Sequence, residues 1–514
     1  MVLEKLRELE ELRKRLSSPD PERAKRQHAK GKLLARERLE MLLDPGSFEE
    51  IQWLATTRSA LFGLDKKKVP GDGVIAGYGR VDGRPVYVFV QDFTVMGGSI
   101  GEAHAEKIVR TIELATKSGV PVIGIWDSGG ARIQEGVASL HGVGRIMKAI
   151  VDASGVIPQI SLVLGPAAGG AAYAPALMDF TIVVDNVTYL FVTGPEVVKE
   201  VTGEEIDFEG LGGARVHSQI SGVAHFRAGS EEEAFSLTKK LLTYLPDNNE
   251  APLPIINTGD PIDRVDKELD SIVPEDSMRS YDMRMVLERI FDKGSLLEVH
   301  KEWGQSIITA FARLGGIPVC VVASQPLVMS GAIDINASCK TARFVRFCDA
   351  FNLPIITFVD VPGYMPGTQQ EHGGIIRHGA KMLYAYSEAT SPKITVIVRK
   401  AYGGAYISMG SRSMGADIVF AWPTAEIAVM GAEAAVRILY RKQLAHSPNP
   451  EEERKKLIEE FKKTFLNPYR AAELGLVDDV IPPRETRQKL YRAVTILLKK
   501  REWRLPRKHG NIPL

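Results

Sequence analysis

Apolar residues recur along this chain in two rhythms, and the rhythms alternate. Leu3, Leu6, Leu9, Leu12 and Leu16 return at threes and fours in a highly charged first 43 residues, which predicts a helix with one apolar stripe. Glu10 with Lys14 and Glu11 with Arg15 stand at the favoured i,i+4 spacing. Such a stripe is expected to pack on its own domain or on a neighbouring subunit. Short apolar runs then take over. Pro85–Gln91, Pro121–Trp126, Ser154–Leu164, Phe180–Val184 and Tyr189–Phe191 read as strands, with a helix from about Glu102 to Lys117 and another opening at Pro195. Strands alternating with helices, with glycines after several strands, predict an α/β layered domain. Leu245–Pro261, rich in Pro, Asn and Asp, reads as a connection.

The pattern then repeats. Ile75, Arg80, Gly83 and Pro85 match Ile308, Arg313, Gly316 and Pro318 at a constant offset of 233. Lys107 matches Lys340, and Asp127 and Gly130 match Asp360 and Gly363. Further on the offset is 234, and Gly169-Gly170-Ala171 matches Gly403-Gly404-Ala405. Upstream, Asp44 matches Asp292 at an offset of 248, which implies an insertion near Leu61–Asp72 in the first copy. The period is far too long for a solenoid. The chain is therefore read as two copies of one domain, 1–258 and 259–514. Pro448–Phe465, a charged helical stretch, has no clear counterpart in the first copy.

Composition narrows the function. Net charge is +1 with 25% charged residues, which argues against a nucleic-acid partner. The basic segment Arg23–Arg38 reads as a solvated helix face or as a contact for ligand phosphates. The three cysteines, Cys320, Cys339 and Cys348, suggest neither a zinc ribbon nor a disulfide framework, and Cys320 reads as core. The first residues are too charged for a signal peptide and no apolar stretch is long enough to span a bilayer, so a cytoplasmic location is expected.

The candidate chemistry lies mostly in main chain. Gly165–Tyr173, reading Gly-Pro-Ala-Ala-Gly-Gly-Ala-Ala-Tyr, follows an apparent strand and carries almost no reactive side chain. A helix starting within Gly169–Ala171 would leave its first N–H groups without internal acceptors, and two such donors can hold a developing oxyanion. A close-packed turn explains one such stretch; Arg399–Tyr406 repeats it. Gly97-Gly98-Ser99-Ile100-Gly101 matches G-x-S-x-G between strand and helix, the context of a hydrolase nucleophile. However, Ser99 corresponds to Ala332, and nothing singles out a His and an acid to complete a triad. Asp127 and Asp360 read either as general bases or as caps of the turns that follow them. Ser128 and Arg132, as a nucleophile and an anion contact, correspond to Val361 and Met365. The side chains other than Asp127 are not duplicated, whereas the glycine loops are. No P-loop, no Ala-Met-Lys-Met biotin-attachment tetrapeptide and no metal-ligand spacing occurs.

Asp127-Ser128-Gly129-Gly130-Ala131-Arg132-Ile133-Gln134-Glu135-Gly136 resembles the N-terminal-domain signature of biotin-dependent acyl-CoA carboxyltransferases. Gly31–Leu39, Asp360–Gly367 and Lys400–Met409 are similar to further blocks of that family. The resemblance runs nearly end to end and is strongest to the branch of propionyl-CoA carboxylase β subunits and methylmalonyl-CoA decarboxylase α subunits. It implies two crotonase-like domains per chain, a homohexamer, and acyl-CoA held largely by the N-domain at Gly129, Gly130, Ala131, Arg132 and Gly169. It implies biotin, delivered by a separate biotin carboxyl carrier protein and facing the acyl-CoA from the C-domain of a neighbouring subunit, at Gly363, Tyr364, Gly403, Tyr406 and Ile407. A biotin carboxylase subunit, or a membrane decarboxylase subunit, would complete the system.

The implied reaction moves a carboxyl group between carboxybiotin and the α carbon of a short acyl-CoA, for instance propionyl-CoA to (S)-methylmalonyl-CoA. Backbone N–H groups of Gly404 and Ala405 would stabilise charge on the biotin ureido oxygen, and those of Gly170 and Ala171 the thioester enolate. Ile407 departs from the pattern, because propionyl-CoA carboxylases often carry Asp there. Alternative readings are the decarboxylase running the transfer in reverse, a serine hydrolase using Ser99, and a non-catalytic scaffold.

Overall fold

A computed structural model of the chain describes residues 2–17, 20–66, 68–274 and 276–514. The chain divides into two compact units, Met1–Ala251 and Pro252–Leu514, and the division falls inside the Pro/Asn/Asp-rich connection. Among the described residues each unit carries an eight-stranded sheet.

In the first unit the strands are β1 (Glu49–Glu50), β2 (Val74–Val81), β3 (Arg84–Gln91), β4 (Val122–Ser128), β5 (Gln159–Ala168), β6 (Phe180–Val184), β7 (Tyr189–Phe191) and β8 (Phe226–Ala228). Their order is β1-β2-β3-β4-β5-β6-β8, with β7 paired to the end of β5. In the second unit they are β9 (Leu297–Val299), β10 (Ile307–Leu314), β11 (Ile317–Ser324), β12 (Ile355–Val361), β13 (Lys393–Tyr402), β14 (Ile418–Ala421), β15 (Glu426–Ala428) and β16 (Asp479–Val480). Their order is β9-β10-β11-β12-β13-β14-β16, with β15 paired to the end of β13. The two sheets share one topology, as the constant sequence offset requires.

Local chemistry explains the elements. β2 and β3 form an antiparallel hairpin through Asp82-Gly83, and β10 and β11 form one through Gly315-Gly316; all four turn residues have positive φ, the geometry of a tight two-residue hairpin turn. β4, β5 and β12 are buried along almost their whole length, because parallel strands in the middle of a sheet are covered on both faces. In the first unit, Ile108 and Ile112 of the helix Glu102–Ser118 and Ile146 and Ile150 of the helix Val137–Ala153 close over Trp126 and Val163. In the second, Val286 and Leu287 pack with Phe358, Trp422 and Leu490.

The sheet strand read as Ser154–Leu164 starts later, at Gln159, and runs on to Ala168. The first helix forms over Val2–Ser17, but Leu3 and Leu6 of its stripe are exposed within this chain; the side chains of Leu16 and Arg15 lie outside the described residues. The charged stretch forms the helix Pro450–Phe465. The cysteine reading needs correction. Cys320 on β11 and Cys348 in the helix Ile335–Ala350 are joined by a disulfide, and both are buried. Strand-to-helix packing brings them together across 28 residues of sequence, a spacing that carries no motif. No helix among the described residues is long and apolar enough to cross a membrane.

Candidate functional site

The two glycine turns have nearly the same backbone. β5 ends at Ala168, Gly169 follows at φ +59°, and the helix Gly170–Leu177 begins at the next residue. β13 ends in Tyr402, and Gly403, the equivalent of Gly169, has φ +58° at the start of the helix Gly403–Ser408. Left-handed backbone favours glycine at both positions. The next two residues, Gly170-Ala171 and Gly404-Ala405, carry the first N–H groups of their helices, which have no acceptor one turn back inside the helix. The surroundings differ. A Cβ on Gly170 would stand 2.8 Å from Val143 Cγ1, whereas one on Gly404 would meet no atom within 4 Å. Ile407, one turn on, is 41% exposed. Tyr406 is half-buried and burial raises its phenol pKa.

A second pair of loops is clasped to the strand ends. Gly129 N–H donates to Gly97 O at 2.9 Å, Ile100 N–H to Gly130 O at 2.9 Å and Arg132 N–H to Ile100 O at 2.9 Å. In the second unit Ile333 N–H donates to Gly363 O at 3.1 Å and Met365 N–H to Ile333 O at 2.8 Å. Gly98 is required there: its Cβ would fall 2.1 Å from Asp127 O, as that of Gly331 would fall 2.6 Å from Asp360 O. Gly129 is exposed and Ala131 half-buried. Tyr364 is half-buried, with its ring against Gly379.

Arg132 is deep inside the first unit. Its guanidinium pairs with Asp72 and Glu135, each at 2.8 Å, and donates to Ser99 O at 2.9 Å. Glu135 in turn accepts from the Glu102 N–H at 2.7 Å, which ties this ion pair to the start of the helix Glu102–Ser118. Ser99 has an arginine for a partner, since its Oγ accepts from Arg132 Nε at 3.3 Å. His104, the nearest histidine in sequence, is fully buried. Its Nδ1 contacts Asp72 O at 3.0 Å and its Nε2 contacts the Gln91 amide at 3.2 Å. Burial first, then the charge of Arg132, pulls its pKa down to about 3, so the ring is neutral. Ser99→Ala is accordingly expected to keep turnover within about threefold of the parent chain, because a peripheral hydrogen bond contributes only ~0.5–1.5 kcal/mol to folding and none to charge stabilisation. A steady-state assay checks this, and loss of all turnover would restore the hydrolase reading.

Asp127 is fully buried and held by Lys32 Nζ at 2.7 Å, Arg38 Nη1 at 2.9 Å and Gln27 Nε2 at 3.3 Å. Gly165 makes room for this cluster, because a Cβ there would stand 1.9 Å from Asp127 Oδ1 and 2.7 Å from Lys32 Nζ. The basic segment thus does two things. Lys32 and Arg38 are drawn inside, while Arg23 and Arg36 line a surface cavity with Trp53, Asp92 and Thr94. Asp360 is buried too and accepts from Tyr281 OH at 2.9 Å, Arg399 Nε at 3.0 Å and Lys400 N–H at 3.1 Å. Burial raises its carboxyl pKa, and Arg399 opposes the rise. Neither carboxylate is free to act as a general base. Lys107 and Lys340 are a matched pair of buried lysines, donating to Val74 O at 2.6 Å and to Ile307 O at 2.7 Å. Among the described residues no cluster of His, Cys, Asp and Glu is able to hold a metal ion.

Known proteins share this whole architecture. A carboxyl transferase domain model matches residues 26–512. The chain is 52% identical to the carboxyltransferase subunit of propionyl-CoA carboxylase of Haloferax mediterranei over 512 residues, 99% of each chain. It is 53% identical over 505 residues to methylmalonyl-CoA decarboxylase subunit alpha of Veillonella parvula, 98% of each chain. A solved structure of transcarboxylase 12S, described as a hexamer and with methylmalonyl-CoA and methylmalonic acid bound, superimposes with a TM-score of 0.97 at 50% identity, covering 99% of this chain and 98% of that one. With a duplicated crotonase-like fold and matching sequence along nearly its full length, the chain belongs to the carboxyl transferase family.

Proposed function

We propose that the chain is the carboxyltransferase subunit of a biotin-dependent acyl-CoA carboxylase, moving a carboxyl group between carboxybiotin on a carrier protein and the α carbon of a short acyl-CoA. Propionyl-CoA going to (S)-methylmalonyl-CoA is the favoured substrate pair. The observation that carries the reading is the matched pair of turns, Gly169-Gly170-Ala171 and Gly403-Gly404-Ala405, with nearly equal positive φ at their first glycines. Carboxyl transfer of this kind develops negative charge on two oxygens, and two preorganised pairs of N–H donors answer that need without a titrating side chain.

When bound, carboxybiotin would supply the carboxyl group and a ureido oxygen on which charge builds as that group leaves. Gly404 and Ala405 N–H hold that charge. The fit is supported by the open space at Gly404, where a ring can approach the main chain, and by the exposed Ile407 beside it. Gly170 and Ala171 N–H would hold the thioester oxygen of the acyl-CoA as its α carbon loses a proton to the biotin ureido nitrogen and the resulting enolate bonds to the carbon dioxide released from carboxybiotin. Gly129, Gly130, Ala131 and Gly169 offer main chain on the acyl-CoA side, and the buried Arg132 stabilises their loop from within. Gly363, Tyr364, Gly403 and Tyr406 stand on the biotin side.

The partners are a biotin carboxyl carrier protein and a biotin carboxylase subunit, in the cytoplasm. Self-association into a homohexamer is supported by the exposed leucine stripe of the first helix. A second reading keeps the half-reaction and reverses its direction: a methylmalonyl-CoA decarboxylase α subunit working with a membrane subunit. The aliphatic Ile407 suits it, as it suits an acetyl-tolerant carboxylase, and identity to relatives of the two names is even.

The test is transfer from methylmalonyl-CoA to free biotin by the purified chain, run beside malonyl-CoA. Transfer is expected with both, faster with methylmalonyl-CoA. The reverse ranking would overturn the propionyl preference. A folded oligomer that binds CoA esters yet transfers from neither would overturn the carboxyltransferase reading.

A further inference from the structure

Both sheets break register at the same place. In the first unit Trp126 pairs with Val163 and Ser128 with Ala167, so residues 164–166 stand opposite the single residue Asp127. In the second, Val359 pairs with Ile397 and Val361 with Ala401, so residues 398–400 stand opposite Asp360. These bulges lie a few residues before the glycine turns and set the direction in which each turn leaves its sheet.

The aspartate fills the gap in both cases, but its counter-ion comes from different places. In the second unit the bulge supplies it. Arg399 Nε reaches Asp360 at 3.0 Å, Lys400 N–H donates to the same carboxylate, and Arg399 Nη1 ties back to Arg279 O at 2.9 Å. The equivalent of Arg399 is Gly165, which has no side chain to offer. There the cations arrive from some 90 residues upstream. Lys32 Nζ contacts Asp127, and Arg38 binds Asp127 with one nitrogen and the bulge carbonyl Leu164 O with another, at 2.7 Å. The space left by Gly165 is where Lys32 Nζ and the Asp127 carboxylate sit.

We infer that Asp360 with Arg399 and Tyr281, and Asp127 with Lys32 and Arg38, are positioning residues, each set fixing one oxyanion turn and not the other. This rests on the proposed function. Aligned donors are the main device of such a site, and misplacement by a fraction of an ångström is enough to weaken them. Each cluster should therefore control the reaction of one substrate.

The test is two-substrate kinetics of transfer from methylmalonyl-CoA to free biotin with the full chain. Arg399→Met is expected to raise the KM for biotin about tenfold and lower kcat up to about 100-fold, with the KM for methylmalonyl-CoA within about twofold. Lys32→Met is expected to do the converse, raising the KM for methylmalonyl-CoA and sparing that for biotin. Arg399→Lys and Lys32→Arg, which keep the charge, should recover much of each loss. Tyr281→Phe, which removes one hydroxyl, should give a milder form of the Arg399→Met pattern and keeps the question answerable if Arg399→Met fails to fold. Equal shifts in both KM values, or losses that disappear when rates are referred to folded protein, would overturn the inference. Absence of transfer by the unmodified chain would instead remove the proposed function, and the inference with it.

Discussion

Gly404→Val is expected to abolish carboxyl transfer to free biotin and to leave the protein folded. The position has ordinary φ, and a Cβ there would meet no atom within 4 Å. Valine is a better helix former than glycine, so any destabilisation should stay below ~1 kcal/mol. The same side chain stands beside the N–H groups of Gly404 and Ala405. Removal of one oxyanion donor costs about 10²–10³ in rate, and blocking approach to both should cost more. Gly404→Ala should give a partial loss. The matching change at Gly170 is less informative, because its Cβ would push on Val143 and a loss there would mix packing with chemistry. Gly403 is also a poor probe, since its φ of +58° and the Val429 carbonyl 3.0 Å from its Cβ would strain any side chain. Thermal melts and steady-state rates on one preparation check the result. Near-normal transfer by folded Gly404→Val would remove Gly404 from the site.

The duplication was readable because the offset of 233 holds through strands, turns and helices alike, and the two sheets do share one strand order. The glycine turns were readable for a similar reason, as two copies of a loop with almost no reactive side chain leave backbone as the common element. The partners of Asp127 were not. Lys32 and Arg38 lie in a segment whose charge pattern fits a solvated helix, and only the fold draws these two residues inside while leaving Arg23 at the surface. Gly165 looked like part of the turn chemistry, yet its neighbours show it as the space for an ion pair. Arg132 sits in a motif that resembles a ligand-binding signature, but its charge is held by Glu135, three residues on, and by Asp72, 60 residues upstream, which spacing alone does not link to it. The Cys320–Cys348 pair joins a strand to a helix, and no cysteine spacing announces that packing.

The Arg38 cluster also governs the stability of the first unit, and Arg38→Met is the variant expected to weaken it most. Arg38 is buried between two buried carboxylates, Asp127 and Glu231, and Glu231 accepts from it at 2.8 and 2.9 Å. Methionine preserves most of the volume and removes the charge. Asp127 would keep its contact with Lys32, but among the described residues Glu231 would keep the Leu33 N–H at 3.3 Å and no direct cation contact. Removing one partner of a buried pair typically costs ~3–5 kcal/mol, because the other charge stays desolvated without compensation. The loss should appear as a lower denaturant midpoint and as faster amide exchange in residues 32–38 and 229–235. Glu231→Met alone should also destabilise. The double variant should be more stable than the sum of the two predicts, since replacing both partners removes the uncompensated charge. Simple additivity would mean that Arg38 acts through Asp127 alone, and an unchanged midpoint would mean that water reaches the cluster and screens it.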